Sequence, residues 1–373
     1  MPLYLSYLHK IFFSVIVFLS LFFLLILSVG CNNSTSIEGD KELKLQPPTQ
    51  NSIYFGAFPD FGGSEDNVST KRIEDFEELI EKKPLWAYFS QNWYNGIVYP
   101  KEAIETIHKQ GIIPFVRLMP RSSEEQFIQE KNFTMERIIN GKFDNELRVW
   151  AREAKIDNIP LLIDFAVEPN GDWFSWSGIF NGKDTKDRYG DREYYDGAER
   201  YRDAYRHIID IFREERVTHI TWFFHADIYS MPKAEWNRAK LYYPGDNYID
   251  WIGVSIYGPQ HPKEEYWESM SEILQERATT ITEISDSKPI ALLEFGVTDH
   301  HPLGSKSEWL VDAFETILSG EYIDFKAISY WHESWEEEDN LFATIRIDSS
   351  DESLETFKAY AKNPRFLIQG RFE

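Results

Sequence analysis

The chain has a single cysteine, Cys31, in 373 residues. That excludes an internal disulfide framework and a thiolate metal cluster. Long Lys/Arg runs are also missing. With 39 basic against 62 acidic residues the formal net charge is −23, a surface that repels polyphosphates and anionic polymers. Nucleic acid and acidic polysaccharides are therefore disfavoured, and a neutral ligand fits better. The nine histidines are scattered, and His300-His301 is only an adjacent pair. No spaced His/carboxylate cluster is visible, so neither a metal nor another cofactor is expected. The spaced glycines of a phosphate-binding loop are missing too: Gly62-Gly63 follows the first strand candidate without that pattern.

One long hydrophobic run is present, and it stands at the N-terminus. Met1 to Lys10 forms a short leader, and Ile11 to Val29 is apolar apart from Ser14, Ser20 and Ser28. Ser-Val-Gly-Cys follows. The pattern resembles a bacterial lipoprotein signal over residues 1–30, with Cys31 lipidated after cleavage. An uncleaved transmembrane anchor is the alternative, because the run approaches the ~18–20 residues that span a bilayer. Both place the remainder outside the cytoplasm, tethered to a membrane only through this end. Residues 31–50 are polar and read as a linker. Residues 51–373 read as one domain.

Within that domain, short apolar runs alternate with amphipathic stretches. Eight strand candidates are Ser52–Phe58, Trp86–Gln91, Ile112–Met119, Pro160–Glu168, His219–Ala226, Tyr248–Gly258, Pro289–Gly296 and Phe325–His332. Helical patterns cover Thr70–Lys83, Lys101–Gln110, Phe143–Lys155, Tyr195–Arg216, Glu264–Ser285, Ser307–Ser319 and Asp351–Ala361. Many strands are apolar nearly throughout, as parallel strands buried on both faces must be. The expected fold is α/β, a (β/α)8 TIM barrel. A doubly wound open sheet is the rival.

A barrel of this kind carries its chemistry where the strands end. Glu168 ends the fourth apolar run before Pro169-Asn170-Gly171, and Glu294 ends the seventh before Phe295-Gly296. Strands four and seven face each other across the mouth. A carboxylate is costly to bury without a partner, so each glutamate alone could be an ion-pair member. Two that converge suit cleavage of a glycosidic bond, one attacking and one donating then removing a proton. Aromatics make up 16% of the chain, and flat rings suit the apolar faces of sugars. Trp173 and Trp176 follow Glu168 in a loop and are expected to form a sugar platform. Tyr257 is expected to hydrogen-bond Glu294, and Trp331 to lie under the reacting sugar. Trp222, His225 and Trp335 are weaker substrate-binding candidates. Trp251 is expected in the core.

These residues carry a resemblance. Val167-Glu168-Pro169-Asn170-Gly171-Asp172-Trp173 and Ala291-Leu292-Leu293-Glu294-Phe295-Gly296 resemble the acid/base and nucleophile segments of glycoside hydrolase family 26. Tyr243-Pro244-Gly245-Asp246, Val254-Ser255-Ile256-Tyr257-Gly258 and Arg346-Ile347-Asp348-Ser349-Ser350 are similar too. The resemblance implies retaining chemistry on neutral β-linked polysaccharide. β-1,4-Mannan is the first substrate it suggests, and mixed-linkage β-1,3-1,4-glucan the alternative. Glu168 would be the acid/base, Glu294 the nucleophile, and Tyr257 and Trp331 would serve the site. The chain departs from the pattern at Val167, where the family usually has His, and at Ser255, where mannanases often have Asp. It departs again at Arg117-Leu118-Met119, where a Trp-His pair is common in mannanases. Those positions line the sugar subsites, and Arg117 is counted there. The loss of His and Asp leaves a second hypothesis, a binding lipoprotein on the same barrel without turnover.

Overall fold

A computed structural model describes residues 43–337 and 341–373. The expected signal segment and Cys31 lie outside the described residues. Eight parallel strands form the barrel: β1 (Ile53–Phe58), β2 (Trp86–Asn92), β3 (Ile113–Met119), β4 (Leu161–Phe165), β5 (Ile220–Asp227), β6 (Trp251–Tyr257), β7 (Ile290–Gly296) and β8 (Phe325–Trp331). Each pairs with the next, and β8 closes on β1 from Tyr54 opposite Ala327 to Phe58 opposite Trp331. Closure explains the apolar runs. A strand inside a barrel has side chains on one face and helices on the other, so both sets of alternating residues are covered. All six residues of β1 and all eight of β5 are buried.

The surrounding helices are α1 (Thr70–Ile80), α2 (Lys101–Lys109), α3 (Asp144–Asp157), α4 (Asp196–Glu214), α5 (Met270–Arg277), α6 (Lys306–Ser319) and α7 (Asp351–Ala361). Local chemistry fixes their ends. The Ser69 side chain accepts from the Arg72 amide at the start of α1, whose Ile73, Phe76 and Ile80 turn inward. Ser269 and Glu272 form a reciprocal cap on α5. Gly320, at φ 66°, ends α6 in a left-handed turn that glycine takes without steric cost. The stretch expected as one helix over Glu264–Ser285 is broken into α5 and the short Thr279–Thr282 segment. Between β5 and β6 the described elements are two 3-10 turns, Glu235–Asn237 and Ala239–Tyr242.

The linker reading of residues 31–50 is corrected at its described end. Leu45–Gln46 pairs antiparallel with Arg371–Phe372, so the two ends of the domain meet in one small sheet. Leu45 is buried, its amide donates to the Thr221 hydroxyl, and its carbonyl accepts from the Trp251 indole at 2.8 Å. Trp251 itself stacks on Phe223 in the barrel floor, as core. A second small element is the hairpin of Ser334–Glu337 with Leu341–Thr344 just after β8. Among the described residues no helix is long and apolar enough to cross a membrane.

Candidate active site

Backbone irregularities aim both glutamates. In β7 the pairing steps from Val254 opposite Leu292 to Ser255 opposite Glu294, so Leu293 is an extra, bulged residue. A one-residue bulge reverses which side the following residue faces, and it sets the direction of Glu294. The fourth strand ends at Phe165, three residues before the expected end at Glu168. Ala166 and Glu168 then take left-handed backbones, with φ 49° and 53°. Each such residue costs ~1–3 kcal/mol and persists only where its surroundings impose it. Here the Ala166 amide is held by the Leu118 carbonyl and the Glu168 amide by the His225 carbonyl at 2.8 Å. The strained turn carries Glu168 out of the sheet and over the mouth.

Both carboxylates are buried at that rim. One oxygen of Glu168, one oxygen of Glu294 and one nitrogen of His225 lie within 4.8 Å of one another. Glu294 Oε2 accepts from the Tyr257 hydroxyl at 3.0 Å. Its Oε1 lies 3.4 Å from Arg117 Nη2 and accepts no hydrogen bond from the described residues. Arg117 is fixed from all sides: Nη1 meets Glu65 Oε2 at 2.8 Å, and the guanidinium lies over the rings of Trp331 and Tyr88. Burial pushes the Glu294 carboxyl up to about 7. The Arg117 charge opposes that push and the Glu168 charge adds to it. Glu168 accepts from the Trp173 indole N–H at 2.8 Å. Gly171 makes room for that indole, since a Cβ there would lie 2.5 Å from a ring carbon.

Beneath the pair runs a buried polar chain. His225 Nε2 meets the Ser255 hydroxyl at 2.8 Å, and Nδ1 lies 3.0 Å from the Tyr88 hydroxyl and 3.3 Å from Asp164 Oδ2. Tyr88 also donates to Asp164. Ser255, His225 and Asp164 stand in the order of a serine-hydrolase triad. All three are buried under the carboxylates, however, so the chain braces the floor rather than meeting substrate. The His/carboxylate cluster that sequence spacing did not reveal is thus present. Its groups suit a cation poorly: His225 is engaged at both nitrogens, and a guanidinium already stands beside Glu294.

The predicted residues therefore divide. Glu168, Glu294, Tyr257, Trp173 and Trp331 come together at the mouth. Trp331 is stacked on Phe58 with ring centroids 4.0 Å apart, and its indole donates to Glu333. Four assignments are corrected. Trp222 points outward from β5 and packs edge-on against Tyr205 and Phe212 of α4, because alternate strand residues face the helices. Trp176 is 1% exposed, stacks on Phe174 and donates to the Val167 carbonyl, so it packs the loop and offers no open face. Arg117 and His225 are buried behind and below the carboxylates and contact them or their supports, not open sugar space. Trp335 sits in the hairpin after β8, opposite Ala343.

Several rim residues escaped sequence reasoning. Asp227 ends β5, and burial, with the Glu168 charge adding, pushes its carboxyl well above the usual range. Glu333 follows β8, and burial pushes it up to about 8. Both obey the strand-end rule that found Glu168 and Glu294. Glu65 lies in a loop and carried no signal. A separate cavity of about 490 Å³ lies between α1 and the turn after β8. Its arginines pair with its own carboxylates, Arg72 with Asp60 and Arg346 with Asp348, so it is a self-neutralised network.

A closed (β/α)8 barrel with two buried carboxylates across its mouth defines a glycoside hydrolase. Comparison with known proteins agrees. Residues 86–294 match the model of glycosyl hydrolase family 26, and the chain belongs to that family. Endoglucanase H of Acetivibrio thermocellus is 24% identical over 292 residues, covering 78% of this chain. The chain spans 29% of that relative's length. The fold is shared with the catalytic domain of a Bacillus sp. JAMB-750 endo-beta-1,4-mannanase (TM-score 0.59, 17% identity, covering 89% of this chain and 96% of that one). It is also shared with a Cellulomonas fimi endo-beta-1,4-mannanase double mutant (TM-score 0.58, 18% identity, covering 85% and 72%).

Proposed function

We propose that the chain is a retaining endo-glycanase acting on a neutral β-1,4-linked polysaccharide, with mannan its first substrate. The observation that supports retention is the approach of Glu168 and Glu294 oxygens to within 4.8 Å. Retaining enzymes hold their carboxyl groups about 5–5.5 Å apart, whereas inverting ones need about 6.5–9.5 Å to admit a water. Glu294 is the nucleophile. Its Oε1 is free of hydrogen bonds from the described residues, while Tyr257 and Arg117 steady its charge. Glu168 is the acid/base.

In the first step Glu294 Oε1 bonds to the anomeric carbon. The glycosidic C–O bond breaks, its electron pair goes to the departing oxygen, and Glu168 gives that oxygen a proton. In the second, water bonds to the same carbon, Glu168 takes a proton from it, and the bond to Glu294 breaks. Two inversions restore the starting configuration. Trp331 is buried between Phe58 and the Arg117 guanidinium, so it backs the arginine beside the nucleophile and offers no open face to the sugar.

A second reading, mixed-linkage β-glucan, is favoured by one observation. Ser255, where mannanases often carry Asp, is buried and tied to His225, so it offers no carboxylate to a mannose hydroxyl. The likeness to a protein named Endoglucanase H points the same way. A digestion panel of mannan, glucomannan, lichenan and xylan, with sizing of the products, decides. Internal cleavage of mannan supports the first reading and cleavage confined to lichenan the second. Absence of product from all four overturns both. We further propose export as a lipoprotein held by Cys31, which globomycin-sensitive processing and acyl labelling of the full chain would test.

A further inference from the structure

We propose that Glu65 is a positioning residue for the nucleophile: it holds Arg117 so that the guanidinium faces Glu294 without hydrogen-bonding the oxygen that attacks. The inference rests on the retaining-glycanase reading and adds a residue to its machinery.

The contacts of Arg117 are lopsided. Nη1 donates to Glu65 Oε2 at 2.8 Å, whereas Nη2 lies 3.4 Å from Glu294 Oε1. That oxygen accepts no hydrogen bond from the described residues, and the buried Arg117 Nε has no acceptor among them. A guanidinium beside a buried carboxylate ordinarily closes into a two-bond pair. Here the stronger pull comes from the other side. The group also lies over the rings of Tyr88 and Trp331, 5.3 and 4.8 Å from their centroids. This arrangement suits the proposed step. An attacking oxygen tied to an arginine N–H must give up that bond to reach carbon. A nearby charge supports the anion and leaves the lone pair free.

Glu65 is built for this hold. It follows β1 in a loop, and its backbone is left-handed at φ 57°, which in a non-glycine residue persists only where its surroundings impose it. Its amide donates to the Gly62 carbonyl at 2.7 Å, and its carbonyl accepts from the Ser90 amide at 2.8 Å. The Ser90 hydroxyl, on β2, donates to the same Oε2 that takes Arg117. Electrostatics agree. Burial pushes the Glu294 carboxyl up to about 7, Arg117 opposes that push, and the Glu168 and Glu65 charges add to it. Tyr88 on β2, His225 and Asp227 on β5 and Tyr257 on β6 also face Glu294. Glu65 itself faces Asp66, Tyr94 and Glu333 besides Arg117. Substituting Glu65 leaves all of these in place.

The test uses the full chain with Glu65→Gln and Glu65→Asp, and the 2,4-dinitrophenyl 2-deoxy-2-fluoro glycosides of β-1,4-mannobiose and cellobiose. This leaving group departs without a proton, so the pH profile of the dinitrophenolate burst follows Glu294 and not Glu168. The burst rate rises as Glu294 ionises. Removing the Glu65 charge and releasing Arg117 toward Glu294 both favour the anion. Glu65→Gln should therefore move the midpoint down by roughly one pH unit. It should also lower the plateau rate roughly tenfold, because the attacking oxygen becomes bonded. Glu65→Asp sets the charge back by one carbon and should do both to a smaller extent; it decides alone if the glutamine variant does not fold. A midpoint that stays in place or moves up overturns the role, since a plain buttress would alter only rate or melting temperature. A wild-type chain that gives neither burst nor covalent adduct with either reagent removes the retaining-glycanase reading, and the role of Glu65 with it.

Discussion

Glu168 and Glu294 share one opening, but the protein supports them unequally. Glu294 stands within a strand, aimed by the bulge at Leu293, bonded by Tyr257 and paired with an arginine that is itself clamped by Glu65 and two rings. Glu168 stands on a strained turn past the end of β4, with the Trp173 indole as its side-chain hydrogen-bond donor. The difference follows the tasks proposed for them. A nucleophile must stay charged and fixed in aim. An acid/base changes protonation twice per turnover, and permanent cationic partners would pin it in one state.

The comparison breaks most visibly when each carboxylate is removed. Glu294→Ala should lower kcat on polysaccharide roughly 10⁴-fold or more, with the melting curve retained. Azide added to Glu294→Gly should give a glycosyl azide of inverted configuration. Glu168→Ala should still attack substrates with good leaving groups, and azide should then give the retained configuration. Identical azide products from the two variants would erase the asymmetry.

Smaller effects sharpen it. Tyr257→Phe should lower kcat roughly tenfold to a hundredfold, because a buried acceptor loses its donor. It should also move a titration. Burial pushes Glu294 up to about 7, and the nucleophile must be ionised, so kcat/KM should fall as pH drops below that value. Losing a donor to the anion raises the pKa further, which shifts this acidic limb to higher pH. Trp173→Phe should cost only about 2- to 10-fold and leave the limb in place. A limb that moves with Trp173 and not with Tyr257 would reverse the support roles.

The smallest effect concerns Glu333, a rim carboxyl outside the proposed chemistry. Burial first, then the Glu65 charge, push it up to about 8. The folded state therefore keeps a proton that the unfolded chain has released, and stability declines as pH rises from the ordinary glutamate range through 8. Glu333→Gln should flatten that decline, leaving Tm unchanged at pH 4 and raising it by a few degrees at pH 9. Parallel melting curves at both pH values would contradict the burial argument.

Most of the barrel was legible because its strands are covered on both faces and so read as apolar runs. Seven of the strand candidates match to within a residue or a few, and the eighth overran at Glu168, where a left-handed turn looks no different from a strand in sequence. The carboxylates and Tyr257 were legible because they end apolar runs. What failed was direction. Trp222 reads as a site residue in the sequence, but His225, three residues on, faces the interior, and period-two alternation then sends Trp222 outward. The Leu293 bulge that aims Glu294 leaves no mark in composition. Long-range closures escaped for the same reason: Leu45 meets Arg371–Phe372 across the whole chain, and a polar segment gives no hint of that partner. Arg117 reads as a sugar contact in the sequence, whereas the charge of Glu65, in a loop without pattern, draws it behind Glu294.

The central claim is double displacement by two carboxylates whose facing oxygens lie within 4.8 Å of each other. Proton NMR of the first anomer released, recorded before mutarotation, tests it most directly. The account predicts that a β-linked substrate yields the β-hemiacetal first, drifting later to the equilibrium mixture. Initial release of the α-anomer would mean a single displacement by water, for which this carboxylate spacing leaves no room.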